Sequence, residues 1–216
     1  MQLNPEVLWA AFAKYNLTIW PLQVVAYVLI IAALFVAAKK VKHSDRIVAA
    51  ILAFFWLWLG IMFWMPFAQM FAPAYALAAL CVIQGVLFLI GIARPSMSYR
   101  IGTDVFSVTG LALVMYATIF YPLVGYAVGH IYPRAMLVGV FPCPTTVVTF
   151  GLFLCTEKKL PKYLLVVPFL FALLGILWAS RGIVEDVGLV IAGILATAMI
   201  MYRDRKVMLV TAPRPA

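Results

Sequence analysis

Residues 17–46 read LTIWPLQVVAYVLIIAALFVAAKKVKHSDR. A helix needs about 20 consecutive apolar residues to cross the hydrocarbon core of a bilayer. This stretch supplies them over 17–38 and is stopped by Lys39 and Lys40. The pattern recurs and predicts seven spans, over residues 17–38, 46–65, 74–93, 105–126, 144–157, 162–180 and 187–202. The cations fall in alternate gaps between these runs. Lys39, Lys40, Lys42 and Arg46 follow the first run, and Arg94 and Arg100 the third. Lys158, Lys159 and Lys162 follow the fifth, and Arg203, Arg205, Lys206 and Arg214 close the chain. The opposite gaps hold only Lys14, Arg134 and Arg181. Basic residues beside membrane helices stay on the cytoplasmic side. The expected fold is therefore an all-α seven-helix membrane bundle, N-terminus outside and C-terminus inside.

Composition agrees with that class. Apolar residues make up 67% of the 216, charged residues 11%, and the mean hydropathy is +1.10. A soluble domain carries about 25% charged residues. Seven spans of about 20 residues leave only loops and tails, so one membrane domain over 1–216 is expected. The net charge of +9 is spread along one membrane face, where anionic headgroups attract it. It implies the lipid bilayer as partner and no nucleic acid. The run at 17–38 is too long for a signal-peptide core, and no small-x-small cleavage site follows it. Cys143 and Cys155 are 12 residues apart on one expected helix, about 18 Å along its axis, too far for a disulfide. With Cys81 they read as buried thiols.

Several local signals refine the elements. Residues 4–15 read as a short helix at the lipid interface, with Asn4 as cap and Pro5 at the first helical position. Its apolar face carries Leu8, Phe12 and Tyr15, with Trp9 beside it. Ser44 is the expected cap of the second span and Thr103 or Asp104 that of the fourth. Gly60, and the pairs Gly188/Ala192 and Gly193/Thr197, permit close helix approach. Residues 127–144 hold Gly129-His130-Ile131-Tyr132-Pro133, a short apolar piece and Pro142-Cys143-Pro144. This segment is too short to span and is expected at the outer interface or dipping in, buried against protein. Aromatic-Pro-Leu occurs at Trp20-Pro21-Leu22 and at Tyr121-Pro122-Leu123, which would make spans one and five equivalent in a three-plus-one-plus-three arrangement.

Polar residues inside a bilayer are the first places to seek function. Asn16, Trp20, Gln23 and Tyr27 follow i, i+4, i+7 and i+11 spacing, one stripe of a helix. With Thr145, Thr146 and Thr149, and with Gln84, Tyr116 and Tyr121, they are expected to line a polar cavity. Asn16, Trp20, Gln23, Thr145 and Thr146 form the candidate ligand-binding set. The alternative reading is interhelical hydrogen bonding that only fixes the bundle. A second set follows from topology: His130, Cys143, Glu185 and Asp186 all map to the outer end. An imidazole, a thiolate and two carboxylates suit a divalent transition metal. Alternatively, His130 bonds a backbone carbonyl and Cys143 packs. The acids would then cap the last span or pair with Arg181 or Arg134. No catalytic triad or G-x-S-x-G elbow occurs. The only histidines are His43, expected to be solvated, and His130.

The segments Tyr15-Asn16 with Trp20-Pro21-x-Gln23, Leu57-Trp58-x-Gly60 and Tyr121-Pro122-Leu123-x-Gly125 form a set with three others. These are Gly129-His130-x-Tyr132-Pro133, Pro142-Cys143-Pro144-Thr145-Thr146 leading to Thr149-Phe150-Gly151, and Glu185-Asp186-x-Gly188-Leu189. In these the chain resembles an uncharacterised family of bacterial multi-pass membrane proteins, a domain of unknown function. The resemblance implies a bacterial inner-membrane location and carries over no catalytic residue. The leading functional expectation is binding or transport of a small solute or metal ion at the outer face. An enzyme acting on a lipid or quinone, and a non-catalytic assembly or partner subunit, stay open beside it.

Overall fold

The computed structural model describes the backbone of residues 5–211 and the side chains of residues 6–205. The expected cap Asn4 and the side chains of Lys206 and Arg214 lie outside the described residues. Within them the fold is all-α, with eight helices and no strand. These are α1 Pro5–Thr18, α2 Leu22–Lys39, α3 Ser44–Phe67, α4 Ala74–Ala93, α5 Val105–Ala127, α6 Pro142–Leu154, α7 Tyr163–Ala179 and α8 Asp186–Thr211. Five are long and apolar enough to cross a membrane: α2, α3, α4, α5 and, in α8, Asp186–Arg205. The expected fifth and sixth spans are shorter apolar helices, α6 with 13 residues and α7 with 17.

α1 and α2 are separate helices. Proline lacks an N–H and disfavours helical backbone in the residue before it, so the chain turns at 19–21 and restarts at Leu22. The expected stripe from Asn16 to Tyr27 is broken by that turn. Asn16 ends up buried on α1, Gln23 and Tyr27 lie on α2, and Trp20 is 60% exposed. Nor does the apolar face of α1 lie free for lipid. Leu8 and Phe12 are buried, and Phe12 packs its edge on Phe141 and lies beside Phe63 and Phe67.

α6 is enclosed on all sides: every residue from Pro142 to Leu154 is buried. Its closest neighbour is α5, through Gly110 and Gly151. A Cβ on either glycine would stand 2.5 to 2.6 Å from the other's carbonyl oxygen. Helix ends leave orphan backbone groups that must be satisfied when buried. At the start of α6, Pro142 and Pro144 have no N–H to satisfy. At its end, one Arg203 nitrogen donates to the carbonyls of Phe153, Leu154 and Thr156 at 3.0 to 3.3 Å. A cation there also suits the negative end of the helix dipole.

The prolines inside helices follow the same logic. A proline leaves the carbonyl four residues earlier without its N–H. Pro122 frees Thr118, and the Tyr27 hydroxyl donates to that carbonyl at 3.0 Å. Pro168 frees Leu164, and the Gln84 amide donates to it at 3.2 Å. Wide π-type turns at Leu59–Trp64 and Tyr116–Phe120 sit directly before Pro66 and Pro122. Gln84 and Tyr27 therefore repair the backbone. The two aromatic-Pro-Leu motifs also differ: Pro21 stands just before the start of α2, whereas Pro122 sits inside α5.

The loops around 40–44, 94–104 and 155–162 meet at one end of the bundle. Lys40 Nζ binds Asp45 at 3.1 Å, Ser98 at 2.7 Å and the Tyr99 carbonyl at 2.8 Å. Arg100 binds Glu157 at 2.7 Å. Asp104 caps α5 as expected, accepting from the Phe106 and Ser107 N–H groups. Ser44 does not cap α3: it is the first helical residue, after His43 in left-handed backbone, and no side chain caps that end. His43 is exposed, as expected for a solvated group.

Candidate functional site

The other end of the bundle is built around the irregular segment 128–141. Its residues are buried from Ala135 onward except Leu137, and buried backbone polar groups need partners. Asn16 Nδ2 donates to the Pro133 and Ala135 carbonyls at 2.6 and 2.8 Å. Tyr15 donates to Val140 O at 3.0 Å, and the Gly139 N–H donates to Thr145 Oγ1 at 2.8 Å. Gly139 has φ +82°, and a Cβ there would crowd Ala26 and Phe55. Gln23 Nε2 in turn donates to both Asn16 oxygens, at 2.8 and 3.2 Å.

This accounts for the expected ligand-binding set. Asn16 and Gln23 pin the irregular segment, and Trp20 is outside the cluster. Thr145 and Thr146 return their hydroxyls to Phe141 O and Pro142 O, at 2.6 and 2.8 Å. Thr149 bonds Thr145 O and accepts from the Trp56 indole at 3.1 Å. The alternative reading of these residues, hydrogen bonds that hold the bundle together, describes their contacts.

The second set is brought together, in a different arrangement from the expected one. Glu185 and Asp186 start α8 and are 2% and 0% exposed. His130 Nδ1 and Glu185 Oε1 are hydrogen-bonded at 2.7 Å. Asp186 accepts from the Tyr121 hydroxyl at 2.5 Å and from the Cys143 thiol at 3.3 Å. The acids pair neither with Arg181 nor with Arg134 among the described ion pairs. The four expected metal donors thus divide into two pairs, His130 with Glu185 and Cys143 with Asp186. No group of three or more His, Cys, Asp or Glu that could hold a metal occurs among the described residues.

Neighbouring residues lock the pairs in place. The Trp9 ring stacks on His130 with centroids 3.8 Å apart, and the main-chain N–H of His130 donates to Gly125 O at 2.8 Å. Tyr116 donates to the Glu185 carbonyl at 3.0 Å. Gly125 and Gly188 leave the space: a Cβ on the first would strike the Glu185 carboxylate, and on the second the Tyr116 hydroxyl. Glu185 Oε2 is buried with no hydrogen-bond partner.

Two cavities flank the cluster. An open cleft of about 500 Å³ runs along the second half of α5 and includes His130 in its wall. Cys143 also borders a small cavity of about 20 Å³ among Phe12, Phe63, Phe67 and Phe141.

A family of unknown function, DUF6064, matches residues 5–210. The chain belongs to this family. No curated protein and no solved structure matches it. The DUF6064 match covers every residue of the cluster, from Trp9 to Asp186.

Some members of the site were not legible in advance. Trp9 reads in the sequence as an interfacial aromatic, because nothing local announces its stack on His130. Gly125 enters the sequence only as part of Tyr121-Pro122-Leu123-x-Gly125, a segment that gives no sign of its contact with Glu185. The proximity of Glu185 to His130, across 55 positions, has no periodic signature. At the opposite end, a second cleft of about 330 Å³ is lined by Arg100, Asp104, Ser107, Glu157 and Arg203. There Arg100 pairs with Glu157 and Asp104 caps α5, while the second terminal nitrogen of Arg203 is buried without a hydrogen-bond partner.

Proposed function

We propose that this DUF6064 chain is a multi-pass membrane protein that binds or carries a small solute or ion at the buried acidic site of Glu185 and Asp186. In this reading the chain crosses the inner membrane of a bacterium seven times as a single domain, N-terminus outside. The five long apolar helices support it, as does the gathering of Lys40, Arg100, Lys158 and Arg203 toward one end. α6 is about 20 Å long, shorter than a hydrocarbon core of about 30 Å. Segment 128–141 completes that crossing as a re-entrant stretch, enclosed in protein where irregular backbone is tolerated.

The observation that carries the reading is Glu185 Oε2, buried and without a donor beside a second buried carboxyl group. Ionisable groups inside a membrane face cavities and mark ion pathways and proton relays. A buried polar atom left unpaired costs about 1–3 kcal/mol, so an occupant with a proton to give stabilises it. The smallest such occupant is the proton itself. The cluster offers it two hydrogen-bonded groups, His130 with Glu185 and Asp186 with Tyr121 and Cys143, whose acids are neighbours in the chain.

Infrared difference spectra of purified protein between about pH 5 and pH 8, the range in which histidine titrates, test this. A change in the protonated-carboxyl band that Glu185→Gln or Asp186→Asn removes is the expected result. Identical spectra for wild type and both variants would sink the proposal.

A further inference from the structure

We infer that the cleft beside His130 binds an amphiphile with an apolar body and a hydroxyl-bearing head, the head hydrogen-bonding His130 Nε2. The inference rests on the membrane reading above and names what meets its site from the lipid side. The walls are apolar: Ile119, Leu123, Tyr126, Ile131 and Tyr132 line them. A volume of about 500 Å³ falls within the range of about 300–1,000 Å³ typical of small-molecule pockets. Leu123 and Tyr126 are exposed, so in a bilayer the cleft opens sideways to lipid and takes its occupant from there.

The polar end is specific. Thr118 also lines the cleft, but its carbonyl is taken by Tyr27 and its hydroxyl by Val114 O at 2.8 Å. His130 differs. Its Nδ1 is committed to Glu185, its ring is stacked on Trp9, and its side chain keeps 12% exposure. Nε2 is the atom left over. Bonding at Nδ1 decides what the other nitrogen does: with Nδ1–H donated to Glu185, Nε2 presents a lone pair to a hydroxyl proton. This arrangement, an imidazole oriented by a carboxylate, is the one used to accept a proton from a hydroxyl. A long-chain fatty acid and a quinol both offer that hydroxyl on an apolar body. Phosphatidylcholine has no proton to donate and fits the walls only.

The full-length protein is reconstituted in phosphatidylcholine vesicles. Three photoactivatable probes are then compared: a diazirine-bearing long-chain fatty acid, a diazirine-bearing quinol and a diazirine-bearing phosphatidylcholine. Labelling by one of the first two is expected within residues 118–135, mapped by mass spectrometry. The probe that labels tells acid from quinol. His130→Phe should weaken its labelling about tenfold, the worth of one hydrogen bond. Leu123→Trp, which leaves His130 and Glu185 untouched, should block it by filling the cleft. Equal labelling by phosphatidylcholine, or labelling unchanged in both variants, would show annular lipid only and overturn the inference. The carboxyl band of the same Leu123→Trp sample separates the two proposals. If it persists while labelling is lost, both stand. If labelling behaves as expected but the band never appears in wild type, the cleft assignment stands and the proton site falls.

Discussion

Asp104 shows how much a single side chain can say in advance. Its place before an apolar run marks a helix start, and both its oxygens are used there, by Phe106, by the Ser107 N–H and by the Ser107 hydroxyl at 2.7 Å. Partial burial pushes its carboxyl up, but the hydrogen bonds from Ser107 and Phe106 outweigh this and hold it below its ordinary value. A depressed carboxyl stabilises the fold above its unfolded-state pKa of about 4, and that contribution is lost as pH falls through the folded value. Asp104→Ala should lower stability by about 1 kcal/mol, with the gap between variant and wild type closing below pH ~4. Thermal unfolding in detergent across pH measures both. Gly125 is the opposite case, unremarkable in sequence and decisive in place. Gly125→Ala puts a methyl group against Glu185 Oε1 and should cost about 1–3 kcal/mol by overpacking. The same variant should perturb the carboxyl infrared band, and an unchanged melting point and band would contradict the described geometry.

At the scale of elements, helix positions were legible and helix relations were not. α4 falls on the expected residues, because Pro73 and Arg94-Pro95 bound an uninterrupted apolar run. The stripe from Asn16 to Tyr27 is not one helix face, because its spacing runs through Pro21, whose backbone chemistry ends the periodicity. Gln84 and Tyr27 read as site residues for a related reason. A buried polar side chain announces that it has a partner, but which carbonyl a distant proline has freed is decided in three dimensions. This makes a coupling experiment specific. Gln84→Leu should destabilise wild type by about 1–3 kcal/mol, since Leu164 O loses its donor. In a Pro168→Ala background, where residue 168 regains its N–H, the same change should cost clearly less. A double-mutant cycle by chemical or thermal unfolding reads the difference, and additive effects would refute the carbonyl-repair role.

Across the whole molecule, the two ends differ in kind: a cationic end tied by Lys40, Arg100 and Arg203, and an end where two carboxyl groups and a thiol are buried beside an imidazole that borders a cleft. The proposed topology puts the second outside. Cys81, Cys143 and Cys155 are all free and buried, so single introduced cysteines report cleanly. In sealed vesicles or intact cells an impermeant thiol reagent should label Arg181→Cys from outside and reach Lys42→Cys only after permeabilisation. The reverse pattern would invert the bundle. The sequence by itself determined the class: apolar runs bounded by cations and prolines can only be helices, because a long apolar segment must satisfy its own backbone wherever it is buried. It also determined that His130, Cys143, Glu185 and Asp186 share an end, since alternation along the chain sorts loops into two sets. Only the tertiary structure decided how those four pair, that Asn16 and Gln23 serve the backbone of segment 128–141, and that α6 is enclosed. The physical reason is that periodicity records which face of a helix is apolar. The partner of a buried polar atom depends on distances between segments far apart in the chain, and no local pattern encodes those.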